Sequence, residues 1–412
     1  MGKLTTNTNK IILYITTFLT LYFSSSFSLS TMSGTGRLLL FVALGIFLLL
    51  YKGRKMQFKV SAELGAMIAL AFLAYIVNGE SMEQLVILAA YILFPLLYVN
   101  CFSLSEWQKG YSDVMIFVSA FSLIVYFSSI FFPGLIERLP VTQNSLGTLS
   151  HEAFFSITPI NNRNYGPFWE PGAFQMYINI ALIIEFYTFK FQNKKSIIVL
   201  LLALITTFST TGYLAAGFIF LCILLESSFD KKNKKRVVTI VVLLLVVFFA
   251  VSSVFSDIQL DVFDKVFGKV DNYQVSREEY STVGVRLSSF FVPFEILFDS
   301  ILQIPFGVGP TYLHDLFQQK YGHSMTTCTF ANLFAIYGVF YALLFLSGIL
   351  KFTKCIASTS RLAFGLLIAI IICTLSEDFS RDASFFIIPF YGLSLAKSDK
   401  IRYARFNQNI LI

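Results

Sequence analysis

The chain has 412 residues, of which 56% are hydrophobic and only 13% are charged, and its mean hydropathy is +0.71. Soluble proteins carry roughly 25% charged residues, so this composition excludes a soluble enzyme, a nucleic-acid-binding domain and a disordered scaffold. The five cysteines stand singly, without metal-ligand or Cys-x-x-Cys spacing, and predict neither a zinc site nor a disulfide framework. We therefore interpret residues 1–412 as one all-α, polytopic membrane domain.

A spanning helix needs about 20 apolar residues and tolerates about 17. The stretches that meet this need are 11–30, 60–77, 84–102, 114–136, 172–189, 237–255 and 325–350. The stretch 38–51 is shorter but is closed by Lys52, and we expect it to span as well. The first stretch is too long for a cleavable signal peptide and lacks a small-residue cleavage site, so it predicts a retained helix.

The stretch 196–225 predicts a helical hairpin. It is basic at both ends, and Lys and Arg concentrate on the cytoplasmic side, so the chain must cross and return. Two helices of about 14 residues reach roughly 21 Å each, less than the hydrocarbon thickness of about 30 Å. The turn Ser209-Thr210-Thr211-Gly212 is therefore expected below the outer surface, where backbone needs protein or water around it.

The stretch 362–396 repeats this pattern. Its turn contains Glu377, Asp378, Arg381 and Asp382, four charges at the tip of a short hairpin. One interpretation is a cavity that opens outward; the other is an ordinary solvated loop.

Counting both hairpins gives about twelve transmembrane helices with both termini cytoplasmic. This topology places 22 of the 31 Lys and Arg residues in cytoplasmic segments, although the outer loops contain more residues. The net charge of +7 thus reflects topology and predicts a bilayer, not a nucleic acid, as partner.

Two outer loops are long, 137–170 and 256–324. The first ends with Arg163, Glu170 and Pro171 directly before a spanning helix. Proline suits the first helical position and a carboxylate is stabilised there, while the planar fork of arginine suits phosphate or carboxylate. Either this is a ligand site at the outer rim, or it is a capped helix whose loop is held by an Arg–Glu pair.

The second outer loop predicts two amphipathic helices, at 258–270 and 286–303. Their aromatic stripes suit the membrane interface or simple core contacts. His323 follows them, just before the next span, and is the best histidine candidate for proton transfer near neutral pH, although a lone histidine is usually structural. No cytoplasmic catalytic domain and no nucleotide-sugar motif appears in the sequence.

Together these features resemble the Wzy-type O-antigen polymerases, within the wider group of O-antigen polymerases and ligases. The resemblance covers most of the chain. The residues that carry it are Arg163-x-x-Gly166-x-x-x-Glu170-Pro171, Ser209-Thr210-Thr211-Gly212-Tyr213, Arg286 followed by Pro305-x-Gly307-x-Gly309, and the terminal hairpin with Glu377-Asp378.

The resemblance implies a GT-C-like membrane glycosyltransferase without metal or other cofactor. A growing chain on undecaprenyl diphosphate would be transferred to an incoming lipid-linked oligosaccharide repeat unit. The reaction would occur at the periplasmic face of a bacterial inner membrane, in a system that also implies a flippase and a chain-length regulator.

Such a reaction needs positive charge at the leaving diphosphate and a base for the acceptor hydroxyl. For the charge we expect Arg163 and Arg286 first and Arg381 third, with Glu377 as a pairing partner of Arg381. For the base the candidates are His323, Glu170 and Asp378, which the sequence does not rank.

Two alternatives belong to other classes. An O-antigen ligase would transfer finished polymer to lipid A-core, but ligases carry a His-Asn pair that opens a late helix, and here His323 and Asn332 are separated. A polysaccharide flippase or other transporter would show repeated halves and broken helices at the midplane.

Overall fold

The computed structural model describes residues 2–52, 60–144, 147–159, 163–225, 235, 238–239, 282–321 and 326–394. The first helices are α1 Gly2–Ser25, α2 Gly34–Lys52, α3 Ala62–Val77, α4 Met82–Cys101, α5 Leu104–Phe131 and the short α6 Pro133–Ile136. Three strands follow, β1 Val141–Gln143, β2 Leu149–Ala153 and β3 Ser156–Pro159. The later helices are α7 Pro171–Ile183, α8 Lys194–Thr206, α9 Thr210–Leu225, α10 Thr282–Phe298, α11 Pro310–Tyr321, α12 Thr329–Ile356, α13 Ser360–Cys373 and α14 Ala383–Ser394.

The length of the helices and the apolar side chains on their surface identify the protein as a helical membrane protein. Within the described residues, α2, α4, α5 and α12 are long and apolar enough to cross a bilayer, and α3, α9, α13 and α14 are apolar but shorter. Large apolar side chains face outward, among them Leu50 at 79% and Ile124 at 64% exposure. An apolar surface of this extent suits hydrocarbon and not water. The number of twelve spans and the GT-C-like architecture stay predictions, and the expected span 237–255 lies outside the described residues except for 238–239.

Both predicted helical hairpins are confirmed as pairs of short helices. The stretch 196–225 forms α8 and α9, with 13 and 16 residues, and 362–396 forms α13 and α14, with 14 and 12 residues. The side chain of Asn193 caps α8 by accepting from the backbone N–H of Ser196, and Thr359 caps α13 in the same way at Leu362.

Helix α7 lies at the centre of the bundle, since all 13 of its residues are buried. Its polar side chains are hydrogen-bonded to neighbouring helices: Gln175 donates to the carbonyl of Cys373 at 2.7 Å, and Asn179 donates to that of Gly212 at 3.2 Å. A Cβ on Gly212 would meet the side chain of Gln175 at 2.7 Å, so only glycine permits this approach of α9 to α7. The helix continues through a π-helical turn, Ile184–Thr188.

Helix α12 is broken at Gly338, whose φ of 83° is outside the helical region. The segment 304–309 fills the break. Val308 donates to the carbonyl of Ala335 at 2.7 Å and Gly309 to that of Ile336 at 3.2 Å, while Val339 donates to Ile304 at 2.9 Å. The free backbone groups of the break are thus satisfied by protein, as the interior of a membrane requires.

The first outer loop contains a sheet that the sequence analysis did not predict. The strands pair antiparallel in the order β1-β2-β3, and the sheet lies against α5. Its short strands alternate polar and apolar residues within a largely polar loop, so the pattern is hidden in the sequence. The predicted all-α fold class therefore has to be amended by this one three-stranded sheet.

The second amphipathic stretch, 286–303, is helical as far as Phe298, in α10. Phe290 and Phe294 pack on α12, with ring centroids 6.4 Å and 5.5 Å from Phe330 and Phe334. These two aromatic residues make core contacts. The first stretch, 258–270, lies outside the described residues.

Candidate functional site

Four segments meet at one end of the bundle and form what we call the polar floor: the end of α1 at 24–26, the segment 163–170, the turn 207–209 and the turn 374–382. The last three segments each follow or precede a short helix. Helix α14, with 12 residues, and α13, with 14, are about 18 and 21 Å long at 1.5 Å per residue. A hydrocarbon core is about 30 Å thick, so neither helix is long enough to cross it.

Backbone hydrogen bonds tie the polar floor together. Trp169 donates its N–H to the carbonyl of Ser25 at 3.1 Å, and Asn164 donates to that of Thr206 at 2.9 Å. Thr329, which begins α12, donates from its backbone and from its hydroxyl to the carbonyl of Glu377. The polar floor is consequently a single connected structure that holds its side chains in fixed positions.

Arg381 is the side chain of the polar floor that is best placed to meet a ligand. It is exposed to solvent and stands among side chains of α3, α4, α12 and its own turn, a position that we call the recess. Its neighbours include Tyr75, Tyr91, Tyr337 and Asp378. Burial opposes its charge, but these acidic groups, Tyr75 and Asp378 foremost, hold the pKa of Arg381 above its ordinary value, so it stays a cation.

The tyrosines beside Arg381 are themselves fixed. The rings of Tyr75 and Tyr337 stack with centroids 5.9 Å apart, and the hydroxyl of Tyr337 donates to the carbonyl of Ser380 at 3.2 Å. Tyr91 contacts Phe41 and lies within electrostatic range of both Arg37 and Arg381. The recess therefore combines cationic groups with hydroxyl groups, a combination that suits an anionic ligand.

Asp378 lies next to Arg381 and is half-buried. One carboxylate oxygen, Oδ1, accepts the backbone N–H of Ser380 at 2.9 Å, which is a local turn contact. Its position beside an accessible cation suits a group that takes a proton from a bound hydroxyl.

Glu377 faces away from the recess, toward the first turn of α7. It is 7% exposed, and its Oε2 accepts the indole N–H of Trp169 at 2.8 Å. A Cβ at Gly172 would collide with this carboxylate, so the glycine permits its close approach to the helix. The positive end of α7 stabilises the negative charge there.

Asp382 is the second buried carboxylate of the turn, and the sequence analysis did not name it as a site candidate. It is 4% exposed and caps α14, accepting the N–H of Phe385 at 2.9 Å. The same oxygen, Oδ1, accepts the hydroxyl of Ser384, while Oδ2 accepts the hydroxyls of Ser25 at 2.7 Å and Tyr177 at 3.2 Å. One carboxylate thus connects α1, α7 and α14.

Arg163 lies at the other hairpin. Its Nε donates to the carbonyl of Thr207 and a terminal nitrogen donates to that of Phe208, both at 3.0 Å. These carbonyls end α8, where a cation is favourable. Glu170 precedes α7, with Pro171 in the first helical position as expected, and is half-buried.

The structure thus brings Arg381, Asp378 and Glu377 into one turn and places Arg163 and Glu170 on an adjoining segment of the polar floor. His323 and the side chain of Arg286 lie outside the described part of the chain. The tyrosines of the recess were missed because nothing in their spacing separates them from the other 17 of the 20 tyrosines. Across the described ranges no three His, Cys, Asp or Glu side chains are grouped as a metal site.

Comparison with known proteins adds no relative. No family model, no curated protein and no solved structure matches the chain.

Proposed function

We propose that this protein is a membrane glycosyltransferase that polymerises lipid-linked oligosaccharide repeat units at the outer face of a bacterial inner membrane. The donor is a growing chain on undecaprenyl diphosphate, and the acceptor is the next repeat unit. The observation that carries the proposal is Arg381, a solvent-accessible cation at the tip of the hairpin of α13 and α14, with Tyr75, Tyr337 and Asp378 as neighbours. The resemblance of the sequence to O-antigen polymerases supplies the reaction.

The chemistry of the recess supports this reaction. When the glycosidic bond to the diphosphate breaks, negative charge develops on the leaving oxygen, and a fixed cation stabilises that charge. Arg381 has the planar fork that binds phosphate oxygens in pairs. The rings of its neighbours Tyr75 and Tyr337 stack and hold each other in place. These side chains therefore need little reorganisation as the charge develops.

Asp378 is the candidate base in this proposal. It is the carboxylate among the neighbours of Arg381, whereas Glu377 is turned toward α7 and Trp169. The acceptor hydroxyl would lie between Asp378 and the sugar on the diphosphate, give its proton to the carboxylate and attack the anomeric carbon. His323 and Glu170 remain the alternative bases, and Arg286 remains a second candidate for the diphosphate.

One observation favours a transporter as second candidate. Broken helices near the midplane are typical of transporters, and α12 is broken at Gly338. The break is however occupied by the segment 304–309, whose N–H groups bond to the carbonyls of Ala335 and Ile336. Because these backbone groups are paired within the protein, they do not offer a substrate site, and the polymerase remains the better supported function.

A gel of surface glycolipid from the source organism with this gene deleted tests the proposal. Lipid A-core that carries a single repeat unit is the expected result, because polymerisation alone would be lost. Bare core with long polymer still on its lipid carrier would identify a ligase. Bare core with single units retained at the inner face would identify a flippase, and either of these results would overturn the polymerase.

A further inference from the structure

The β2–β3 hairpin reaches much deeper along the helices than an outer loop would. Phe155 at its tip lies 4.6 Å from Phe121 of α5 and 5.2 Å from Phe18 of α1, measured between ring centroids. Phe121 precedes Phe131, the last residue of α5, by ten positions, which is about 15 Å of helix. That is half of a hydrocarbon core of about 30 Å.

The outward side of the sheet exposes mainly apolar side chains, and its exposed Gln143 donates to the carbonyl of Gly147 at 3.2 Å. Phe154 is 89% exposed, Val141 57% and Leu149 45%. These residues continue the exposed apolar stripe of α5, where Phe117 is 57% exposed and lies 5.7 Å from Phe155. In a water-soluble sheet the outward face would instead be polar.

Other polar side chains of the same strands point inward. Ser150 is 1% exposed, and Glu152 accepts the hydroxyl of Ser28 at 2.7 Å. The outer edge of β3 is also covered, because Ile157 donates its backbone N–H to the carbonyl of Gly166 at 3.0 Å. Glu152 and the edge of β3 are thus paired within the protein while large apolar side chains lie outside, which is the arrangement that hydrocarbon favours.

From this arrangement we infer that the β2–β3 hairpin is embedded in the bilayer and that the outward face of the sheet, with Val141 of β1, Leu149 of β2 and Phe154 of the hairpin turn, contacts the acyl chains of bilayer phospholipids. Of these three residues, Phe154 lies deepest in the bilayer. Leu149 lies five residues back along the strand, at most about 16 Å nearer the outer surface. The backbone of Phe154 has a φ of 60°, and the ring of Phe121 packs beside its ring with centroids 6.2 Å apart.

Depth-dependent quenching of tryptophan fluorescence tests this inference. The full-length variants Phe154→Trp, Leu149→Trp and Phe132→Trp are reconstituted in phosphatidylcholine vesicles brominated either near the chain ends or near the headgroup. The unsubstituted protein gives the background from Trp107 and Trp169. Phe132, 65% exposed at the end of α5, serves as the shallow control.

Phe154→Trp is expected to lose about twofold more fluorescence to bromine near the chain ends than to bromine near the headgroup, since its depth is close to the bilayer centre. Phe132→Trp should show the reverse order and Leu149→Trp an intermediate one.

Quenching of Phe154→Trp by aqueous iodide and not by brominated lipid would place the hairpin in water and overturn the inference. Protection from both quenchers would mean that protein covers the face, which would overturn it equally. If Phe154→Trp does not fold, the same comparison of Leu149→Trp with Phe132→Trp decides the question.

Discussion

The two helical hairpins of this protein have similar lengths but different tips. The turn between α8 and α9 is neutral, and its carbonyls at Thr207 and Phe208 bind the guanidinium of Arg163. The turn between α13 and α14 carries four charges. Glu377 and Asp382 are buried among protein donors, while Arg381 stays accessible. An arginine that binds helix carbonyls stabilises the fold, and an arginine left accessible in a recess can bind a ligand.

This comparison separates the roles of Arg163 and Arg381. If Arg381 binds the diphosphate, Arg381→Ala should lower polymer synthesis by about 100-fold, the usual effect of removing one fixed stabilising group from a transition state. Its thermal unfolding midpoint in detergent should change little. Polymer formation in a deletion strain that carries the variant gene measures the first effect.

Arg361→Ala provides the matched control, because Arg361 is exposed at the opposite end of the same hairpin. It should support normal polymer. Arg381→Lys, which keeps the charge but not the planar fork, should restore only part of the activity. Full polymer length from Arg381→Ala would remove Arg381 from the proposed mechanism.

The buried carboxylate of the same turn should behave differently. Asp382→Ala leaves Ser25, Tyr177, Ser384 and the N–H of Phe385 without their acceptor. The expected loss of stability is about 3 kcal/mol, because buried donors are left unpaired. A lower unfolding midpoint, measured on purified protein, should accompany any loss of polymer.

Asp378→Ala is the comparison for this variant. Asp378 accepts the N–H of Ser380 in a local turn and is half-buried, so its removal should cost little stability while it reduces polymer. Equal midpoints for Asp382→Ala and the unsubstituted protein would show that the carboxylate is not the structural link that its hydrogen bonds indicate.

Arg163→Ala should resemble Asp382→Ala more than Arg381→Ala. It removes two hydrogen bonds from a charged donor to the last carbonyls of α8, at a cost of about 2 kcal/mol. Lysine can still donate to one carbonyl, so Arg163→Lys should recover part of the midpoint. An unchanged midpoint together with lost polymer would instead return Arg163 to the role of diphosphate ligand.

The helical hairpins were predictable from the sequence because each one is an apolar stretch of known length with basic residues at both ends. Their termini, at Lys194 to Leu225 and Ser360 to Ser394, follow the predicted stretches closely. The break at Gly338 was not predictable. It depends on pairing with the segment 304–309, and a single glycine within an apolar run carries no sign of such a partner.

The same limit applies to the candidate site. Arg163 and Arg381 both stand beside polar turns in the sequence, and spacing alone cannot tell which one meets backbone carbonyls. That difference arises from tertiary contacts, such as the approach of the segment 163–170 to the turn after α8. The charged turn itself was identified, since charges at the tip of a short apolar hairpin are costly unless they are solvated or paired.

The smallest expected effect concerns the glycine that lets Glu377 approach α7. In Gly172→Ala the added methyl group meets the carboxylate, which must move and weaken its bond to the indole of Trp169. The side chain is flexible, so the cost should be only about 1 kcal/mol. Gly217→Ala in α9 is the matched control, because no heavy atom lies within 4 Å of its added Cβ, and alanine is favoured over glycine in a helix. The unfolding midpoint should therefore fall in the first variant and stay or rise in the second. A fall in both would mean that the loss reflects the helices in general, and the contact between Glu377 and the start of α7 would no longer explain why the turn 374–382 holds Arg381 where it does.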